Sequence, residues 1–158
     1  MKSARAPKAD KTEPVEPSPQ ELVELARAYA EAAEQLVERQ KKCTAISRAP
    51  YRLAAIHAIE LYLNAYLRMK NHEPDEIRGL QHDLQQRTER ATKAGMKLRK
   101  RTITHLGAMT SNREYLLARY QPSAQKSLSQ INRLLATLRD VEKKVTTAME
   151  QDNPSVVR

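Results

Sequence analysis

Apolar positions recur along most of this chain at intervals of three and four, the spacing of one face of an α-helix. Leu22, Leu25, Tyr29, Ala32 and Leu36 form the first such stripe. It follows Ser18-Pro19-Gln20-Glu21, which reads as a helix start: Ser as N-cap, Pro at the first helical position, Glu three residues after the cap. A first helix is therefore expected over about 19–43. Pro50 restricts the residue before it and marks a second start. From Tyr51 to Met69, Ile56, Ile59, Leu63, Tyr66 and Leu67 share one side, and Leu53, Leu61 and Ala65 widen it. So wide an apolar surface predicts the central helix of a bundle. Pro74 to Gly79 reads as a short helical turn, and Asp83 to Ala94 as a polar helix stopped by Gly95. Leu98, His105, Met109, Leu116 and Tyr120 fall on one face of a helix expected over 97–120. Leu128, Ile131, Leu135, Leu138, Val141 and Val145 do so on a last helix over 123–149.

These elements predict an all-α fold, an antiparallel bundle of four to five helices over residues 18–149. Residues 1–17 carry Lys, Ala, Glu and Pro with almost nothing apolar, and Asn153-Pro154 opens a polar end. Segments 1–17 and 150–158 are expected to be disordered tails, too poor in apolar surface to offset their ordering entropy.

Composition narrows the chemistry. Only three Gly occur in 158 residues, and no GxGxxG or GxxxxGK[ST] phosphate loop is present. A lone cysteine, Cys43, excludes an intrachain disulfide and a Cys-rich zinc site, and it fits a reducing, cytoplasmic setting. No signal peptide and no membrane span is expected. No cofactor or metal is expected either; His57 and Glu60 would supply two ligands, too few for a site. Twenty-eight Lys and Arg against nineteen Asp and Glu give a net charge of +9. Most of it lies in residues 84–120, where Arg87, Arg90, Lys93, Lys97, Arg99, Lys100, Arg101, Arg113 and Arg119 oppose only Glu89 and Glu114. A solvated basic face and a phosphate-contacting surface both fit such a segment.

Three strings, taken in order, carry a resemblance. They are His57-Ala58-Ile59-Glu60-Leu61-Tyr62-Leu63-Asn64-Ala65-Tyr66-Leu67, Gly79-Leu80-Gln81-His82-Asp83-Leu84 and Tyr115-Leu116-Leu117-Ala118-Arg119-Tyr120-Gln121-Pro122. Together, over about 50–122, they resemble the HEPN superfamily (higher eukaryotes and prokaryotes nucleotide-binding). Gln81 is an insertion relative to the Gly-His-Asp-Leu-like turn of that family, and Gln121 separates Tyr120 from Pro122. The resemblance implies a bundle of four or five helices, often a homodimer. It also implies one of three activities: binding of RNA or a nucleotide, metal-independent RNA cleavage of a toxin or defence type, or an accessory role beside a protein partner.

The active members carry Arg, four to six residues, then His near the start of a late helix. Arg99 and His105 have that spacing. The pair suits RNA cleavage: His titrates near neutrality and can take the 2′-hydroxyl proton, and Arg matches phosphate oxygens. Arg101 is the same-face neighbour of His105. Lys100 stands where the active group commonly has Asn, and Arg99 and His105 lie about 120° apart on an ideal helix. A packed core histidine is the competing reading of His105. Lys97, Lys100, Arg113, Arg119, Tyr120 and His82 are the candidate RNA- or ligand-contacting residues, although His82 also reads as a brace beside the N-cap Asp83. His57, Glu60, Asn64 and Arg68 share a strip of about 80°, either a solvated face or the polar wall of a groove.

Overall fold

A computed structural model describes residues 15–39, 44–124 and 127–153. The expected tail segments 1–14 and 154–158 lie outside the described residues, as do Cys43 and the end of the expected first helix. Among the described residues the chain is a bundle of seven helices without a strand. Five are long: α1 (Pro19–Glu38), α2 (Ala45–Met69), α4 (Leu84–Lys93), α5 (Lys100–Ser111) and α7 (Ile131–Asp152). Two are short: α3 (Pro74–Gly79) and α6 (Glu114–Tyr120). No helix is long and apolar enough to cross a membrane.

Local chemistry sets most starts. Ser18 and Glu21 form the capping box of α1, each side chain accepting the other's backbone N–H. Thr44 and Ser47 do the same for α2. That box opens α2 six residues before Pro50, so Pro50 lies inside the helix instead of starting it. There it removes only the bond to the Ile46 carbonyl, in the second turn. Asp83 caps α4 by accepting the Gln86 N–H at 2.9 Å. Gly95, at φ 107°, ends the same segment.

α2 is the axis of the bundle. Ile59, Leu63 and Leu67 are fully buried, and Leu134, Leu138, Val141 and Val145 of α7 close over the same core. Each such side chain contributes about 1.5–3 kcal/mol. Joined by a short connection, α1 and α2 run antiparallel, so the start of α1 meets the end of α2 beside Arg68 and Met69. Four helices separate α2 from α7, and these two run parallel. Tyr51 donates to the Ile131 carbonyl at 3.3 Å and Tyr62 to Glu142 at 2.9 Å, the same offset in both pairs.

Three further expectations are corrected. First, α1 buries Leu22, Val23, Ala26, Ala30 and Ala33, while Leu25, Tyr29, Ala32 and Leu36 stay outside. The small alanines admit α2 at close range, which larger side chains would prevent. Second, the helix expected over 97–120 breaks at Asn112-Arg113, where Arg113 takes a left-handed φ of 53°. Third, the last helix starts at Ile131 instead of 123 and runs to Asp152, past the expected 149. The second and third have one cause. Glu114, 1% exposed, accepts the N–H and hydroxyl of Ser129, and Arg52 donates to the Ser129 carbonyl. Glu114 and Arg52 thus take up the N–H and the carbonyl of Ser129, and α7 begins only after Gln130.

Candidate functional site

His105 and Arg99 occupy different surroundings. Arg99 is the N-cap of α5, with its side chain 75% exposed and its guanidinium 3.6 Å from Asp140 of α7. Buried Asp140 also accepts the Arg99 N–H at 3.1 Å and the Thr102 hydroxyl at 2.7 Å, so α7 caps α5 in trans. His105 lies about one and two-thirds turns on and is buried. Its Nδ1 meets the Thr137 hydroxyl at 2.7 Å, and its Nε2 meets Ser129 Oγ. Ser129 gives its own proton to Glu114 Oε2 at 2.6 Å. Its oxygen must then accept from His105 Nε2–H, which leaves Nδ1 to accept from Thr137. Burial, with Arg133 adding to it, pushes His105 down to about 4, consistent with this neutral tautomer. A base facing RNA needs a free ring nitrogen; both nitrogens here are engaged inside the fold. His105 borders a cavity of about 250 Å3 together with Glu114, Ser129 and Arg133.

The chain Arg52–Glu114–Ser129–His105 was not visible in the sequence. Arg52 and Glu114 form a buried ion pair at 3.5 Å. Burial lowers the Arg52 pKa, opposed by Glu114 and reinforced by Arg48. In the sequence Glu114 is one of two acids in a basic segment, and nothing local marks it as buried.

The three strings meet on one groove. His57 and Glu60 come from α2, His82 from the turn before α4, and Tyr115 and Arg119 from α6; all five line a single depression with Tyr29. Glu60 binds His82 Nδ1 at 3.1 Å and lies 3.5 Å from Arg87. The His82 ring rests on Tyr115 with centroids 4.8 Å apart, and His57 meets Tyr29 edge-on at 4.5 Å. Asn64 accepts from Arg87 Nε at 2.7 Å and Arg68 donates to the His72 carbonyl. His57 and Glu60 of the polar strip therefore form a groove wall, whereas Asn64 holds Arg87 and Arg68 ties the end of α2. The groove continues past His82 into a second hollow that includes Gln81, Asp83 and Arg113. Gln81 and Arg113 both hold left-handed φ values, 48° and 53°. Backbone strain of this kind concentrates at ligand clamps and switch regions. Among the described residues, no three His, Cys, Asp or Glu side chains gather as a metal-holding group.

No family model, curated protein or solved structure matches the chain. Its site therefore rests on geometry.

The basic segment divides in two. Arg87 leaves the surface altogether: it is 2% exposed and bonded to Asn64 and to the Leu80, Asp83 and Ile77 carbonyls. Lys97, Arg99, Lys100 and Arg101 cluster at the start of α5, all exposed. Arg133 approaches them, donating to the Arg101 carbonyl at 2.9 Å. Arg113 and Arg119 belong to the groove, beyond the other end of α5; Arg119 lies over the ring of exposed Tyr120 at 5.3 Å. α5 separates the two groups by about 18 Å at 1.5 Å per residue. Among the described residues, Arg99 is the one surface cation of the segment with a carboxylate partner.

Proposed function

We propose that this chain is a HEPN-like binding protein that holds RNA by its phosphates, without cutting it. The observation that carries the reading is the first turn of α5. Three consecutive cations, Arg99, Lys100 and Arg101, occupy the end where the helix dipole already disfavours positive charge. No acidic residue of α5 itself joins them, Asp140 of α7 pairs with Arg99 alone, and Lys97 adds to the excess. A polyanion relieves that repulsion, and released counterions favour its binding. Arg113, Arg119, Tyr115 and Tyr120 offer a second contact region with charge and stacking surface together. The enzyme reading, Arg99 with His105 and Arg101 in support, has less behind it, because His105 is neutral and bonded at both nitrogens while Arg99 pairs with Asp140.

A second copy of the chain is the partner that α1 suggests. Leu25, Tyr29, Ala32 and Leu36 are exposed at steps of four, three and four, the seam spacing of paired helices, with Tyr29 also meeting His57.

Fluorescence anisotropy of labelled single-stranded RNA, with RNA integrity read on the same samples in EDTA, tests the proposal. Saturable binding with intact RNA is the expected result. Intact RNA with no binding at physiological salt would leave a protein-docking module. Cleavage lost in a folded His105→Ala variant would establish the ribonuclease.

A further inference from the structure

The start of α7 faces a cavity of about 560 Å3 that the RNA surface does not use. Gln130, the N-cap, is extended and gives no side-chain cap. The first helical bond recorded there joins Leu134 N–H to the Gln130 carbonyl, so the N–H groups of Ile131, Asn132 and Arg133 have no helical acceptor. Arg48 and Arg52, one turn apart on α2, line the same cavity. Arg52 is 7% exposed, and its Nε is a buried donor with no acceptor. Its Nη1 is spent on Glu114 and the Ser129 carbonyl. Glu114 therefore offsets Arg52 alone, and among the described residues no carboxylate pairs with Arg48.

We propose that this cavity binds a terminal phosphate group, held between the α7 amides and the two guanidiniums of Arg48 and Arg52. A helix N-terminus presents N–H groups and partial positive charge to an anion. Arginine meets phosphate oxygens through a planar fork. A dianionic monoester supplies enough oxygens for both, and it balances the positive charge of Arg48, which no carboxylate offsets among the described residues. A backbone diester carries one charge and has two of its oxygens esterified, so it offers fewer acceptors to the amides and guanidiniums. The site shares no residue with the cations of α5 and α6, so it stands or falls separately from RNA binding.

The test is amide NMR of the full chain, titrated at constant ionic strength with inorganic phosphate, with adenosine monophosphate and with a 5′-hydroxyl oligonucleotide. The Ile131, Asn132 and Arg133 amides shift and saturate with the first two probes. Arg48→Gln weakens this response about tenfold, the loss of one charge-assisted hydrogen bond. Arg52→Lys keeps a positive charge beside Glu114, so folding survives while the fork is lost, and the response weakens likewise. Absence of saturable shifts in the folded wild type overturns the proposal. So does an undiminished response in Arg48→Gln, or an equal response at these amides to the 5′-hydroxyl oligonucleotide.

Discussion

The Ser129 hydroxyl donates to Glu114 Oε2 at 2.6 Å across the turn that joins α6 to α7. This one bond belongs to a chain that fixes where two helices begin, which way His105 points and how Arg52 is neutralised. Glu114→Ala removes the centre of it and leaves Arg52 buried without its counter-charge. The expected loss is about 3–5 kcal/mol. Ser129→Ala removes a hydroxyl and keeps the ion pair, with an expected loss of about 1–2 kcal/mol. Arg99→Ala, at an exposed position, stays within about 0.5 kcal/mol of wild type. Urea denaturation ranks the three, and similar midpoints for Glu114→Ala and Arg99→Ala would contradict the account.

His105 makes folding pH-dependent. Burial holds its pKa at about 4, against an ordinary value of 6.5. As pH falls, the unfolded chain takes up this proton first. The contribution of neutral His105 is complete above about pH 6.5 and is lost between there and about pH 4. Burial shifts His57 in the same direction, so the comparison needs a variant. Stability measured against pH should fall less steeply over this window in His105→Gln than in wild type. Equal slopes would assign the acid loss to other groups.

Arg113 combines strain with a surface charge. Its φ of 53° suits glycine, which adopts the left-handed region without a Cβ clash. Arg113→Gly is expected to raise stability by about 0.5–1 kcal/mol while weakening RNA binding. Thermal unfolding and anisotropy on the same preparation check both directions. A stabilised variant with full RNA affinity would remove Arg113 from the contact surface.

The outer stripe of α1 predicts self-association. Leu25→Glu with Leu36→Glu places charges on two seam positions that the monomer leaves outside its core. Sedimentation should find a wild-type dimer and a folded, monomeric variant. A monomeric wild type would leave this face unexplained.

The bundle was legible where the signals are local. Ser18 and Glu21, Pro74 with Gly79, and Asp83 with Gly95 mark starts and stops by short-range backbone chemistry. The sequence misled where distant partners decide. The Asn112-Arg113 break depends on Glu114 reaching Ser129, and the burial of Arg87 depends on Asn64 and Glu60 from another helix. The periodic stripe of α1 favoured the large Leu25, Tyr29 and Leu36, whereas close packing against α2 selected Ala26, Ala30 and Ala33. For the site, His57 and Glu60 of the α2 strip share a groove with His82, Tyr115 and Arg119 of the other strings, whereas Asn64 and Arg68 do not line it. The Arg99–His105 spacing carried no information about where each ring or guanidinium points, because Asp140 and Thr137 of α7 settle that.

The salt dependence of RNA affinity tests the central claim most directly. Each phosphate contact on single-stranded RNA contributes a slope of about 0.7 in log affinity against log salt. Wild type is compared with a chain carrying Lys97→Gln, Lys100→Gln and Arg101→Gln together, its folding checked by circular dichroism. The account predicts weaker binding by the variant at every salt concentration, and a slope shallower by about two. Equal affinity and equal slope for the two proteins would contradict it.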